Sequence, residues 1–327
     1  MDWSALSHAY GSAEDLPSTL TRARSSDAAV RAEAWAWLRA TCCHQRTRYP
    51  ASVALVEPLA AHVDDPRAPD RPAALALLAD LAVGDADRAL LGDRDPWADD
   101  PLVGALRAAI LAVRLPHDDP DPAVRAHAAR VAHAIGAPAP AADDPDPGVR
   151  AARVLAGDRD PRHLVDPDPT PRAAAAAALG DLPAAAAIAA ALPAPGPLPW
   201  LRGDVVRLVV PTLAAHGFAA RDALLHLVAH ADERPALDAI LPALRAAVDR
   251  LPPSGGWDTH TTPPALVAVA RWIAVDRPWL GTPEVWSALP RLGLPGDPRA
   301  LRQLLGLPSP PSLRDRRHEA SPCATSG

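Results

Sequence analysis

Apolar residues step by three and four positions along most of the chain, the spacing that lines one face of a helix. Val30, Ala34, Trp37 and Leu38 follow it. Leu237, Ile240, Leu241, Leu244, Val248 and Leu251 follow it more fully and read as a buried stripe. The pattern predicts helices over 28–40, 51–63, 72–83, 102–115, 201–216, 219–231, 235–251, 264–275, 283–292 and 298–305. A short helix after Pro17 belongs to an atypical start. The class expected is all-α, with no sheet.

Between these segments a phrase recurs three times. It reads Asp119-Pro-Asp-Pro-Ala-Val-Arg125, then Asp144-Pro-Asp-Pro-Gly-Val-Arg150, then Asp166-Pro-Asp-Pro-Thr-Pro-Arg172. Each copy opens an Ala-rich segment that stops at a glycine: Gly136, Gly157 or Gly180. The phrase is helix punctuation. Asp121, Asp146 and Asp168 stand where an N-cap belongs, and a carboxylate there takes the free N–H groups of the first turn. The proline that follows suits the first helical position, where a missing N–H costs nothing. A closing glycine adopts the left-handed conformation that ends a helix.

Asp and Arg six residues apart, at the start of an Ala/Leu/Val helix, resemble the short HEAT repeats of bacterial proteins. The pairs are Asp119/Arg125, Asp144/Arg150 and Asp166/Arg172, with fainter copies at Asp65/Arg71 and Ser25/Arg31. The resemblance implies a HEAT-like helical solenoid, a right-handed superhelix of stacked helix pairs. It also implies that each Arg reaches the Asp of a neighbouring repeat, forming a ladder. Arg125, Arg150 and Arg172 are 25 and 22 residues apart, whereas two-helix repeats need roughly 30 to 47. Either the outer helix is cut to about one turn here, or the repeats are degenerate. The expected organisation is an N-terminal cap (1–24), HEAT-like repeats (25–192) and a Pro-rich break (193–199). Degenerate helical repeats with a C-terminal cap (200–307) and a disordered tail (308–327) follow.

Composition narrows the function classes. Apolar content is 49% but only 4% is aromatic, so the core is expected to be thin and Ala-built. All 33 basic residues are Arg, and Asp far outnumbers Glu, as mutational bias in a GC-rich genome would produce. A net charge of −6 gives no global basic field for nucleic acid. Three cysteines make no disulfide framework. No signal peptide is read at the start. The most apolar stretch, 173–201, carries Asp181 and five prolines, which argues against a membrane span.

Candidate chemistry is sparse. Cys42-Cys43-His44 lacks the second ligand pair of a structural zinc site. His226 and His230 share a helix face, but no Glu follows His226 and no third ligand is evident. No phosphate loop, nucleophile elbow or dinucleotide fingerprint occurs. At least one of the tryptophans at 35, 37, 97, 257, 272, 279 and 286 is expected at the surface.

One turn is more polar than a helix connection requires: His44-Gln45-Arg46-Thr47-Arg48-Tyr49. It resembles a His-Gln-x-Thr-x-Tyr turn of bacterial HEAT-repeat proteins, in which Gly usually follows Gln; here Arg46 takes that place. His44, Gln45, Arg46, Arg48 and Tyr49 are the candidate partner-binding residues. The competing structural account has His44 and Gln45 capping the preceding helix, and Tyr49 packing near Trp3 and Tyr10.

The function expected is a non-enzymatic protein–protein interaction scaffold. It would use a concave face lined by the helices that the Asp-Pro phrases open. No cofactor or metal is expected. The partner expected is another protein, with no nucleic acid and no membrane, and the chain itself is expected to be a cytoplasmic monomer. Two alternatives remain: an immunity-type antagonist of a toxin, and an enzyme on a HEAT scaffold, such as a DNA glycosylase or a bilin lyase.

Overall fold

A computed structural model describes residues 1–90, 94–138, 140, 143–191, 201, 205–248 and 264–308. Among the described residues the protein is mostly helical, with 69% helix and 3% strand. It forms two compact units, Met1–Thr212 and Leu213–Gly327. The expected Pro-rich break at 193–199 and nearly all of the expected tail lie outside the described residues.

The first unit opens with two-residue strands β1 (Ser7–His8) and β2 (Gly11–Ser12), paired antiparallel, and the helix α1 (Leu16–Arg22). Helix α2 (Ala28–Cys42) leads into a second short hairpin, β3 (Cys43–His44) and β4 (Thr47–Arg48), and then α3 (Pro50–Asp64). These two ladders correct the expectation of no sheet. They are too short to show as periodicity in the sequence. After them come α4 (Arg71–Val83), α5 (Ala86–Leu90), α6 (Pro101–Leu111), α7 (Pro122–Ile135), α8 (Pro147–Leu155), α9 (Pro169–Leu179) and α10 (Leu182–Ala190). Helix α5 stands between the helices that the periodicity predicts over 72–83 and 102–115, where it predicts none.

The punctuation operates at each phrase. Asp121 accepts from Ala123 N, Asp146 from Val149 N and Asp168 from Thr170 N, and a proline follows each cap. Gly136 and Gly180 close α7 and α9 in the left-handed conformation, with φ of 69° and 67°. Gly157 differs: α8 is capped one residue earlier, by Ala156. Between α8 and α9 the chain makes only a 3-10 turn, Pro161–Val165, about the length that the spacing requires.

Helices α2, α4, α7, α8 and α9 follow one another in space: α2 touches α4, α4 packs on α7, α7 on α8 and α8 on α9. Their shared core changes along the series. Near α3, α4 and α6 it is built from Leu55, Leu59, Leu75, Leu78, Leu81, Leu106 and Ile110, all fully buried. Around α7 to α9 it consists largely of alanines, among them Ala128, Ala129, Ala151, Ala173, Ala174 and Ala176. A buried methyl contributes about 0.8 kcal/mol, against about 1.5–3 for a leucine. The alanine end therefore gains close helix approach but little burial energy. Polar fastening matters more there.

The second unit begins within α11 (Val210–Ala215), where the division falls. It contains α12 (Arg221–His230), α13 (Glu233–Val248), α14 (Pro264–Arg271), α15 (Pro283–Ala288) and α16 (Pro298–Leu304). Helix α13 packs on α12 and α14. Its buried face is Ala236, Ala239, Ile240, Ala243, Leu244 and Ala247. Leu237, Leu241 and Val248 flank that face half-buried, so the stripe is rotated from the one read in the sequence, and Leu251 lies outside the described residues. Alanines on the contact line let the α12 side chains Leu224, Leu227 and Val228 come close. Helix α14 continues into a π-helical turn, Trp272–Asp276. Arg277 then donates from Nη1 to the Val228 and Ala231 carbonyls, at 3.0 and 2.6 Å, satisfying acceptors at the end of α12.

Candidate partner-binding site

The turn between α2 and α3 is a two-residue hairpin loop. Gln45 and Arg46, its central residues, both have positive φ, 48° and 69°. That is the geometry of a type I′ turn, whose twist matches the paired strands. A non-glycine residue held there costs about 1–2 kcal/mol. Arg46 is held by its own side chain, which donates from Nη2 to the Arg94 carbonyl at 2.6 Å.

Arg48 fixes the hairpin from beneath. Its side chain is fully buried, and its guanidinium grips both carboxylate oxygens of Asp95. Nη1 also donates to the Arg46 carbonyl at 2.5 Å, tying the turn to its own anchor. Arg107 adds a second cation, 3.7 Å from Asp95 Oδ2. Gly84, with φ of 83°, closes α4 against this assembly. A Cβ there would lie 2.6 Å from Arg48 Nη1 and 3.0 Å from Arg46 Cβ. Both conformation and space require glycine.

The expected binding residues therefore separate. Arg48 is interior and is corrected from a binding residue to an anchor. Arg46 is half-buried and bound to the loop at 94. Gln45 is exposed at the tip. Tyr49 is half-buried at the start of α3, where its N–H donates to Ser52 Oγ at 2.9 Å and Ser52 donates to the Cys42 carbonyl at 2.6 Å. His44 faces the first hairpin.

That first hairpin brings in residues that motif reading missed. The Ala9 N–H donates to the Thr41 carbonyl at 3.0 Å, docking β1–β2 on the end of α2. Tyr10 stacks on Trp37, with centroids 5.6 Å apart and planes at 18°. Its hydroxyl lies 3.2 Å from His44 Nδ1, and its ring meets His44 edge-on. Asp15 binds the group together. Trp37 Nε1 donates to Asp15 Oδ2 at 2.7 Å, and His8 Nε2 lies 3.0 Å from Oδ1. His8 Nδ1 accepts the Tyr10 N–H at 3.0 Å, which leaves Nε2 as the donor toward Asp15. Burial alone would raise the Asp15 carboxyl, but hydrogen bonds from Trp37 and His8 outweigh it and hold the group below its ordinary range. Even so, Tyr10 is 57% and Trp37 41% exposed. The only advance signal was the unusual start around Trp3, His8 and Tyr10, together with two tryptophans two apart on one helix.

The neighbouring titratable groups are set up for packing. Burial pushes the Cys43 thiol up to about 12 and Cys42 up to about 11. Cys43 Sγ donates to the Gly84 carbonyl at 3.0 Å. Neither thiol offers a thiolate near neutral pH. Asp80 is buried and paired with Arg39 Nη2 at 2.9 Å, and burial raises its carboxyl to about 6. Among the described residues no group of three or more His, Cys, Asp or Glu side chains converges as a metal site would need. His226 and His230 lie side by side, with centroids 4.5 Å apart. No described helix is long and apolar enough to cross a membrane.

The ladder residues are placed as follows. Arg125 donates from Nε and Nη2 to Asp144, at 2.9 and 2.8 Å. Arg150 does the same to Asp166, at 2.9 Å for both bonds. Arg125, Arg150 and Arg172 each donate from Nη1 to the carbonyl of the Asp six residues earlier: Asp119, Asp144 and Asp166. Toward the N-terminus, Arg31 Nε meets Asp70 at 2.6 Å and Arg71 Nη1 meets Asp119 at 2.7 Å. Asp65, the aspartate of the fainter copy that contains Arg71, bonds Arg24, and Arg31 from the preceding copy goes to Asp70 in its place. Asp70 serves its Arg rather than its helix: it sits at the N-cap of α4 with φ of 53° and makes no side-chain capping bond. Compared with family models, curated proteins and solved structures, the chain matches none of them.

Proposed function

We propose that the chain is a non-enzymatic scaffold that binds another protein, and that its first unit is a HEAT-like solenoid degenerating toward the C-terminus. The solenoid reading is supported by the succession α2, α4, α7, α8 and α9. An arginine near the start of each of the first four reaches an aspartate ahead of the next helix. Such stacks are platforms whose surfaces carry the function.

The observation that carries the binding reading is the Tyr10–Trp37 pair. Two large aromatic rings stay exposed although Asp15, His8 and His44 fix them in place. Rigid, exposed Trp and Tyr lose little entropy on contact and are favoured at interface centres. Arg31, Arg71, Arg125 and Arg150 are engaged with aspartates and Arg172 with backbone carbonyls, so the surface sits at the hairpins and not along the Asp-Pro phrases. The non-enzymatic reading is supported by protonated thiols and by carboxylates held in caps and ion pairs. Affinity capture from the native host, with identification by mass spectrometry, tests the proposal. The wild-type chain should retain a protein that a Tyr10→Ala/Trp37→Ala variant loses. Equal capture by a folded variant would move binding elsewhere.

A further inference from the structure

Tyr10 and Asp15 sit in a segment of one charge sign, and Trp37 meets them from α2, where the neighbouring Arg39 is paired with Asp80. Residues 1–21 contain Asp2, Glu14 and Asp15 and no Arg or Lys. Glu14 is exposed, and the Asp15 side chain keeps 38% exposure while bonded to Trp37 and His8. The nearest hairpin arginines are turned to other tasks, Arg46 to the Arg94 carbonyl and Arg48 to Asp95. Arg22 is paired with Glu33.

Stacked rings with an ionised carboxylate at their edge suit one kind of ligand. A ring face carries negative electrostatic potential and attracts a guanidinium or ammonium within about 6 Å, most strongly when the ring is Trp. Asp15 supplies a full negative charge at the Trp37 edge, and its oxygens already fix that ring. Guanidinium groups stack flat on aromatic faces and pair with carboxylates, both of which this surface offers. Acidic or neutral segments would meet Glu14 and Asp15 with nothing to offset the repulsion or desolvation.

We propose that Tyr10, Trp37 and Asp15 form a docking surface for an arginine- or lysine-bearing segment of a partner protein. This rests on the reading of the chain as a protein-binding scaffold and names the chemistry of its partner. The ring faces take the cation, and Asp15 and Glu14 set its sign.

Binding of a fluorescein-labelled hexa-arginine peptide to the full chain, read by anisotropy, tests it, with a hexa-glutamate peptide as control. The wild type should bind the first and not the second. Tyr10→Ala and Tyr10→Ala/Trp37→Ala leave net charge unchanged and should weaken binding about tenfold or more. Asp15→Asn should weaken it as well. Tyr10 is exposed, so its single variant folds and keeps the test valid if the double variant does not. Equal hexa-arginine binding by the aromatic variants would reduce the effect to bulk charge and overturn the proposal, as would no binding by the wild type. If capture still depends on Tyr10 and Trp37 while the peptide does not bind, only the cationic chemistry fails. If neither depends on them, the binding surface itself is wrong.

Discussion

Arg150 holds Asp166 through two parallel bonds of 2.9 Å, while its third nitrogen donates to the Asp144 carbonyl at 2.9 Å. One side chain thus joins its own helix start to that of the next helix. Asp166 is only 8% exposed in this pairing, and the Arg150 side chain is 18% exposed. Arg150→Ala should destabilise the first unit by about 2–3 kcal/mol, because a nearly buried carboxylate loses both guanidinium bonds and keeps that of the Asp168 N–H. Arg150→Lys should recover little, since an ammonium cannot reproduce the fork. Chemical denaturation followed by circular dichroism measures both. A neutral Arg150→Ala would show that the alanine-lined helices hold together without this fastening.

The hairpin gives a sharper contrast between neighbours. Gln45→Ala should change stability by less than about 0.5 kcal/mol, since the side chain is exposed. Arg48→Ala should cost about 3 kcal/mol or more by taking both guanidinium bonds from an interior Asp95, which then keeps the more distant Arg107 and the Trp97 N–H. Gly84→Ala should also destabilise, because its positive φ and the 2.6 Å approach of Arg48 both exclude a Cβ. Thermal melts of the three single variants suffice. A Gly84→Ala protein as stable as wild type would mean the hairpin is not seated on α4.

Acid stability should reflect two opposed groups. His127 is buried, with Nδ1 2.8 Å from the Ala123 carbonyl, and burial lowers its folded pKa to about 4 from an ordinary 6.5. The folded state therefore disfavours its proton. Stability is present above pH 6.5 and is lost as pH falls toward 4. Asp80 acts in the other direction. Its folded pKa of about 6 lies above the ordinary 3.8, so its contribution is present below pH 3.8 and is lost as pH rises through 6. His62, His117 and His133 are shifted down by burial as well and side with His127, while Asp87, raised by burial, sides with Asp80. The net expectation is loss of stability from pH 6.5 to pH 4. His127→Gln should remove roughly 2–3 kcal/mol of that loss. Denaturation midpoints at pH 7, 5.5 and 4.5 check the sign. A wild type that gains stability on acidification would contradict it.

The helices were legible because their signals are local. The recurring phrase combines N-cap aspartate, first-turn proline and closing glycine, and it marked α7, α8 and α9 almost to the residue. The short 3-10 turn before α9 followed from spacing alone. What the sequence could not reveal depended on distant contacts. The sign of φ at Arg46 is set by pairing across the hairpin and by a carbonyl 48 positions away. Arg48 reads as a polar loop residue until Asp95, 47 positions on, buries it. Tyr10 and Trp37 meet only because β1–β2 docks on the end of α2. On α13 the alanines were less visible than the leucines beside them, although they make the closer contact. Periodicity locates a stripe but does not fix its rotation within one residue.

Partner protection at the two aromatic residues tests the central claim most directly. Hydroxyl-radical footprinting of the full chain, read by mass spectrometry, should modify Tyr10 and Trp37 readily in the free protein, as their 57% and 41% exposure requires. With the captured partner bound, both should be protected, while the exposed Trp97 and Trp279 keep their free-state reactivity. Unchanged modification at Tyr10 and Trp37, with protection appearing elsewhere, would contradict the account.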